Sequence, residues 1–370
     1  MINKDRIVER FLEYVKINSE SYNEGTFAER LVKELEGLGL QVEVDKAGEK
    51  VGSNTGNIIA RLDGNLDIEP VLFSCHMDTV TPGKNISPII KDGVIYSDGT
   101  TILGGDDKGG ITAIIEALNV IKENNLEHGN IEIVFTIAEE VGLCGSKNLD
   151  YSKFQAKKAF VLDSGGDIGT IVIKGPAQDK IMVKIKGKPA HAGVCPEEGI
   201  SAIEIASDAI SNMNLLRIDE NTTANIGTIK GGVATNVVCP EVLIEAEARS
   251  TVEESLDKQT KHMVHTFRKS VEKFNGDVDI SVNRLYGAFS VDENDEIVKL
   301  AKKAFEKLQI DSKITSTGGG SDTNILNGNG IKAVNLSCGE RKPHTLEESI
   351  KIEDLCILSN FILELIGILK

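Results

Sequence analysis

Three short apolar segments in the first half of the chain are typical of strands buried on both faces of a sheet. They cover residues 71–76, 130–137 and 158–163, and segments with the 3.6-residue apolar period of helices lie between and around them. Such runs need helices on both faces of the sheet that they form. The sequence therefore predicts an α/β domain on a mostly parallel sheet, with its first part over residues 1–177.

The pattern changes between residues 178 and 287. Here Ile181, Val183 and Ile185 alternate with lysines, as in a strand with one exposed face. The predicted order of elements is β-α-β-β-α-β, which is the order of a ferredoxin-like α+β unit. We therefore expect an inserted α+β domain of the lid or dimerisation type over 178–287, and the second part of the α/β domain over 288–370.

Charge and cysteine content narrow the class of protein. The chain has 41 basic and 57 acidic residues, a formal net charge of −16, which disfavours nucleic acid and anionic membranes as partners. We find no signal pattern and no apolar stretch of membrane-spanning length. Six scattered cysteines without a Cys-x-x-Cys pair suit reduced thiols. These features predict a cytoplasmic protein with no membrane partner.

Histidines and carboxylates follow the predicted strands, where open α/β sheets place their binding crevices. Taken singly, each is explained at least as well by a strand-end hydrogen bond, a helix cap or a solvated turn. Taken together, they form a set of two histidines and three carboxylates, most of them at one predicted edge of the sheet. The members of this set are His76, Asp106, Glu140, Asp163 and His344.

This set of side chains predicts a metal centre. Nitrogen and oxygen ligands without cysteine suit Zn²⁺, and Mn²⁺ and Co²⁺ are alternatives. A carboxylate shared by two ions would give a paired site, in which both ions polarise a water and a substrate carbonyl. Adjacent glutamates repel each other unless a metal or a proton neutralises them. Glu139, next to the predicted ligand Glu140, is therefore the candidate general base.

These residues occur in motifs that resemble those of a known family. The stretches 76–78, 105–109, 139–140, 163 and 343–344 are similar, in this order, to the motifs of the M20 family of di-zinc peptidases. The similarity covers the whole chain. It is closest to the peptidase T (tripeptide aminopeptidase) branch and its shorter relatives, which the stretches 79–84 and 98–108 resemble most.

The resemblance implies a role for each residue of the set. Asp106 would bridge two Zn²⁺ ions, of which one also binds His76 and Asp163 and the other Glu140 and His344. Glu139 would act as general base and acid. Asp78 would support His76, and its carboxylate is expected to accept the second ring N–H of that histidine. The family pattern also implies a cis peptide bond between Asp106 and Asp107.

The resemblance further implies substrate contacts. His191, in the inserted domain, would hold the oxyanion that develops on the scissile carbonyl. Asn236 and Arg249 are similar to residues that hold a substrate carboxylate, although a turn asparagine and a surface arginine are the ordinary alternatives. Gly319 and Ser321 lie in a glycine-rich loop that resembles a substrate-lining loop.

The predicted function is that of a metal-dependent exopeptidase, with short peptides as substrates and a homodimer through the inserted domain as a further expectation. An aminopeptidase that removes the N-terminal residue of tripeptides is favoured. The alternatives are a dipeptidase, a carboxypeptidase or an N-acyl-amino-acid deacylase of the same family, and a metal-dependent binding protein without turnover. Glu139 argues against the binding protein, because binding alone needs no spare carboxylate. His191 is followed by Ala-Gly, as in the wider family, whereas peptidase T has His-Pro-Gly, so the hydrolase class is better indicated than the substrate.

Overall fold

The computed structural model describes residues 2–370 and consists of helices and strands that alternate along much of the chain. The α-helices are α1 (Lys4–Lys16), α2 (Gly25–Leu38), α3 (Ala47–Val51), α4 (Gly105–Asn124), α5 (Cys144–Lys147), α6 (Ala202–Ser211), α7 (Glu253–Phe274), α8 (Glu296–Lys307), α9 (Asp322–Gly328) and α10 (Ile352–Ile368). The β-strands are β1 (Gln41–Val44), β2 (Ile58–Leu62), β3 (Val71–His76), β4 (Ile89–Lys91), β5 (Val94–Tyr96), β6 (Ile131–Thr136), β7 (Lys158–Ser164), β8 (Thr170–Gly175), β9 (Ala177–Lys186), β10 (Leu216–Arg217), β11 (Thr222–Gly231), β12 (Glu241–Ser250), β13 (Asp277–Tyr286), β14 (Phe289–Ser290), β15 (Lys313–Ser316), β16 (Lys332–Ser337) and β17 (Ser349–Lys351).

These elements belong to two compact units. The first unit contains the described residues up to Ile173 together with Val291–Ser316 and Ser321–Lys370. The second unit contains Lys174–Ser290 and the short segment Thr317–Gly320. The grouping of Thr317–Gly320 with the second unit was not predicted.

The first unit is built on a mixed sheet whose centre is parallel. Its strands follow the order β1-β2-β6-β3-β7-β16-β8, and β15 also pairs with β8. The neighbours β6, β3, β7 and β16 run parallel, whereas β1, β2 and β8 join antiparallel. Every residue of β3 and β6 is buried, as the apolar runs predicted. The predicted α/β class with a mostly parallel sheet is therefore confirmed.

Both faces of this sheet are covered by apolar packing. On one face, Leu72 of β3 joins a buried cluster that also contains Val134 and Val161. Phe73 points to the other face, where its ring lies 6.1 Å from that of Phe160. Helix α4 packs on β3 and β7, and α1 and α10 pack on α4. Because α4 is buried through most of its length, its N-terminal turn has a fixed position at the edge of the sheet.

The second unit is an antiparallel sheet with two helices. Its strand order is β10-β11-β12-β9-β13. Ile181, Val183 and Ile185 of β9 are buried in a cluster with residues of α6 and α7, while lysines alternate with them. The predicted β-α-β-β-α-β order is confirmed, with the two-residue strand β10 as an addition.

Several elements differ from the sequence prediction. The helix predicted over 109–124 begins at Gly105 in the structure. Within its first turn, Asp106 (φ −77°, ψ 104°) and Asp107 (φ −117°, ψ 31°) have non-helical backbones. Strand β8, helix α9 and the three-stranded sheet β17-β5-β4 were not predicted. Short elements contain too few residues to show a periodic pattern of apolar side chains. Helix α9 also follows a glycine-rich stretch, which is typical of a loop.

Within residues 2–370, no helix combines the length and the apolar character that crossing a bilayer requires.

Gly110, in the first turns of α4, is expected to tolerate no side chain. A Cβ there would lie 2.5 Å from Asp107 Oδ1 and from Leu162 O, and 2.7 Å from Cys75 Sγ. Gly110→Ala should therefore lower the free energy of unfolding by about 1–3 kcal/mol, as overpacking usually does. Gly37→Ala is the matched control, because nothing lies within 4 Å of its Cβ. This control should gain up to about 1 kcal/mol. Denaturant unfolding measures both, and an equal response of the two variants would contradict the packing argument.

Candidate metal centre

The candidate ligands meet at one edge of the first unit's sheet. His76 is the last residue of β3, Asp163 lies near the end of β7, and Glu140 follows β6. Because β6, β3 and β7 are parallel neighbours, their carboxyl ends lie side by side. Asp106 comes from the N-terminal turn of α4, and His344 from the loop between β16 and β17.

Asp106 lies between the two histidines. Its Oδ1 is 2.9 Å from His76 Nε2, and its Oδ2 is 3.2 Å from His344 Nε2. Each oxygen of one carboxylate thus faces a different imidazole. A carboxylate in this position can bind one cation through each oxygen.

Each histidine also has a second carboxylate nearby. Asp163 Oδ1 lies 3.8 Å from His76 Nε2, and Glu140 Oε1 lies 2.9 Å from His344 Nε2. Donor atoms around a tetrahedral Zn²⁺ ion with bonds of 2.0–2.1 Å are about 3.3 Å apart, so these separations fit metal coordination. Apart from the ring nitrogen of His344, the buried Oε1 atom of Glu140 has no hydrogen-bond partner, as expected of an atom reserved for a cation.

Asp107 is a further carboxylate at this edge. One donor atom each of His76, Asp107 and Asp163 lies within 4.8 Å of the others, as is also true of His76, Asp106 and Glu140. Asp107 Oδ2, however, accepts the backbone N–H of His76 at 3.2 Å, so this side chain fixes the end of β3. The peptide bond between Asp106 and Asp107 is cis, which confirms the expectation drawn from the family pattern.

The orientation of the His76 ring depends on Asp78, although not in the predicted way. His76 Nδ1 is 2.9 Å from the backbone carbonyl oxygen of Asp78 and 3.4 Å from its Oδ1. A carbonyl oxygen only accepts hydrogen bonds, so the ring proton of the neutral imidazole lies on Nδ1. The lone pair on Nε2 then points toward Asp106, as a metal ligand requires.

The carboxylate of Asp78 instead organises the glutamate pair. It accepts the backbone N–H of Glu139 at 2.9 Å and that of Glu140 at 3.2 Å, and the Ser21 hydroxyl donates to it at 2.7 Å. Glu24, a buried residue that the sequence did not single out, accepts the N–H of Ala138 at 2.9 Å. Two buried carboxylates therefore fix the turn that carries Glu139 and Glu140.

Glu139 is buried beside the predicted ligands. Burial and the neighbouring Asp163 raise the pKa of Glu139 well above its usual range. A carboxyl group with a raised pKa is a stronger proton acceptor when ionised, as a general base must be. Cations held by the adjacent carboxylates would oppose this shift and favour the ionised form.

The cluster attracts positive charge. Asp106 and Glu140 raise the pKa of His344 to about 10. Burial alone would raise the pKa of Asp106, but His344 and His76 lower it below its usual range. In the metal-free protein, protons on the histidines therefore take the place that cations would otherwise occupy.

Two of the predicted substrate residues lie together in the second unit. His191 and Asn236 are both exposed, and the backbone N–H of Ala192 donates to the carbonyl oxygen of Asn236 at 2.9 Å. Arg249 is held in place, because its Nε and Nη2 lie 2.9 and 3.0 Å from the two carboxylate oxygens of Glu247. Its guanidinium group is therefore oriented by Glu247, and its contact with substrate stays a prediction.

The glycine-rich loop has structural contacts of its own. Gly319 donates its N–H to Thr317 Oγ1 at 3.1 Å. Ser321 is the N-cap of α9, where its Oγ accepts the Thr323 N–H at 3.3 Å, and it also lies 3.3 Å from Asn335 Nδ2. Helix capping thus accounts for Ser321, and its contact with substrate stays a prediction.

Comparison with known proteins places the chain in a family. The model of peptidase family M20/M25/M40 matches residues 72–367, which include all five predicted ligands. The chain belongs to this family. Two solved structures are similar over its full length, with 99% of each of those chains covered. One is aminopeptidase PepT from Bacillus cereus (43% identity, TM-score 0.92), and the other is a tripeptidase from Staphylococcus aureus (42% identity, TM-score 0.96). Protein YqjE of Bacillus subtilis is 43% identical, over 99% of both chains.

Metal affinity is expected to rise with pH, because protons and cations compete for the same groups. With the pKa of His344 raised to about 10, an ion that binds at neutral pH must displace a proton from this ring. This competition weakens as the pH approaches that value. Calorimetric titrations in buffers of different ionisation enthalpy measure the protons released. His344→Ala should release about one proton fewer than the wild type, and a pH-independent affinity would contradict the charge assignment.

Proposed function

We propose that this chain is a two-metal exopeptidase, most simply an aminopeptidase that removes the N-terminal residue of short peptides such as tripeptides. The observation that carries the proposal is the position of Asp106, with one oxygen toward His76 and the other toward His344. Similarity to an aminopeptidase and a tripeptidase at 43% and 42% identity supports the choice of substrate.

Two divalent ions would be held by the five ligands, with Asp106 shared. His76 and Asp163 would complete one site, and Glu140 and His344 the other. We propose Zn²⁺ for both sites, because the donors are nitrogen and oxygen atoms, and Mn²⁺ or Co²⁺ fit the same donors. When bound, the ions supply Lewis-acid polarisation of the attacking water and of the scissile carbonyl.

The protein's own groups then move the protons. Glu139 would accept a proton from the attacking water and deliver it to the leaving amine nitrogen. Asp78 keeps the backbone of Glu139 in place for both transfers. His191 would donate to the oxyanion, and Asn236 and Arg249 would hold the substrate carboxylate; these three roles are proposed from the family resemblance.

Other chemistries of the same family remain alternatives. A dipeptidase, a carboxypeptidase and an N-acyl-amino-acid deacylase would all use the same metal centre and differ only in the groups that the second unit recognises. The buried, unligated Glu139 favours turnover over a metal-dependent binding protein. The cytoplasmic location and a homodimer through the second unit stay predictions from the sequence, and light scattering of the purified protein tests the dimer.

Release of single N-terminal residues is the expected activity. The purified, metal-loaded protein should cleave tripeptides faster than dipeptides, longer peptides or N-acyl amino acids, because the proposed carboxylate contacts limit substrate length. Mass spectrometry of the products identifies the bond cleaved. Tripeptides with a blocked N-terminus or an amidated C-terminus are the controls. Release of only C-terminal residues or acyl groups would contradict the aminopeptidase assignment.

Glu139→Gln should abolish turnover and retain the metals. The substitution keeps the shape of the side chain but removes the proton acceptor, and general-base catalysis typically contributes about 10²–10⁴-fold.

His191→Ala should also keep both ions and lower turnover about 10²–10³-fold. Glu127→Gln, at an exposed position, is the control. Steady-state kinetics with metal analysis of each variant tests these roles, and near-normal turnover of Glu139→Gln would make Glu140 the candidate base.

A further inference from the structure

The turn that presents Asp106 has an anionic partner that the mechanism above does not use. Glu348 Oε2 accepts the backbone N–H groups of Leu103 at 2.8 Å and Gly104 at 2.9 Å. Its Oε1 accepts those of Gly105 at 2.6 Å and Asp106 at 3.2 Å. Four consecutive N–H groups thus converge on one buried carboxylate.

The sequence of the turn permits this convergence. Gly104 has a left-handed backbone (φ 72°, ψ 29°), which brings successive N–H groups to one side of the chain. A Cβ on Gly105 would lie only 3.1 Å from Glu348 Oε1, so glycine allows the close approach. These N–H groups precede the regular part of α4 and would otherwise lack partners. The turn and the carboxylate are therefore complementary in both shape and charge.

The backbone around Glu348 is also held in place. It directly precedes β17, which pairs with β5, and the backbones of Arg341 and Ser349 exchange hydrogen bonds at 2.9 and 3.0 Å. These bonds close the loop 341–349, which carries His344 four residues before Glu348. One side chain therefore connects the loop of His344 to the turn of Asp106.

We propose that Glu348 is a positioning residue of the metal centre, which orients the shared carboxylate of Asp106 relative to His344 and so sets the affinity for both ions. This inference rests on the proposed two-metal function. Asp106 must direct each oxygen toward a different histidine, and its backbone is held by Glu348 from residue 103 to residue 106. Rotation of this turn would move one oxygen away from each ion at once. The negative charge of Glu348 acts in the same direction, because it stabilises cations nearby.

The test compares metal binding by the full-length wild type with binding by Glu348→Gln. Glutamine has nearly the same shape, but it lacks the charge and presents an amide NH₂ to N–H donors. Substitution of a residue that supports a metal ligand without binding the metal typically weakens metal binding about 10–100-fold. We expect a loss of that size for both ions. Calorimetry with Zn²⁺, well below the melting temperature of each variant, gives the two affinities. The visible spectrum of the Co²⁺-loaded protein reports the coordination geometry.

Glu347→Gln is the matched control. Glu347 is the preceding residue, is exposed and pairs with Lys342, so it should bind both ions as the wild type does. Should Glu348→Gln not fold, Glu348→Asp serves instead, because the shorter side chain cannot reach all four N–H groups. A purely structural role for Glu348 would lower the melting temperature but leave the affinities and the Co²⁺ spectrum of the folded protein unchanged.

The outcomes separate this inference from the function on which it rests. Wild type that binds two ions, with both weakened in the Glu348 variant, supports the positioning role. Wild type that binds two ions, with unchanged binding by the variant, or with only one ion weakened, overturns the positioning role and leaves the proposed function intact. Wild type that binds fewer than two ions contradicts both.

Discussion

The structure depends on a concentration of buried negative charge around one carboxylate. Asp106 lies close to other carboxyl groups, among them those of Glu140, Asp163 and Glu348. Burial of charge is costly unless the charge is paired. The nearest compensating groups are His76 and His344, each of which faces one oxygen of Asp106. The arrangement is favourable when cations occupy the space between these donors, so the fold and the metal centre are coupled energetically.

The sheet places the candidate ligands, and hydrogen bonds orient them. Parallel neighbours bring His76, Glu140 and Asp163 to the same edge, but strand pairing does not determine the direction of a ring or a carboxylate. That direction comes from neighbouring groups that hydrogen-bond to the candidate ligands or to their backbone. The Asp78 carbonyl sets the tautomer of His76, the Asp78 carboxylate holds the glutamate turn, and Glu348 holds the turn of Asp106.

The candidate ligands were easier to identify from the sequence than the residues that support them, for a physical reason. His76 and Asp163 lie at the ends of apolar runs. A polar residue at the end of a buried strand can be recognised from the sequence alone. Glu348 and Glu24 are supports because of partners more than 100 residues away, and nothing in the neighbouring sequence marks those contacts. Asp78 was recognised, but the sequence could not show that its carbonyl lies closer to His76 than its carboxylate does. The structural role of Ser321 as a helix cap was not predicted, because the short helix α9 was not recognised in the sequence.

The order of the strands has a consequence for how the protein assembles. Strand β16 lies between β7 and β8, although the whole of the second unit separates it from both in the chain. Strand β16 can therefore join its neighbours only after the second unit has been made, and His344 and Glu348 follow β16 in the chain. A chain that ends before β16 contains His76, Asp106, Glu140 and Asp163, but it lacks both His344 and Glu348, the residue that holds the turn of Asp106. The candidate ligand set therefore stays incomplete until both parts of the first unit have been made.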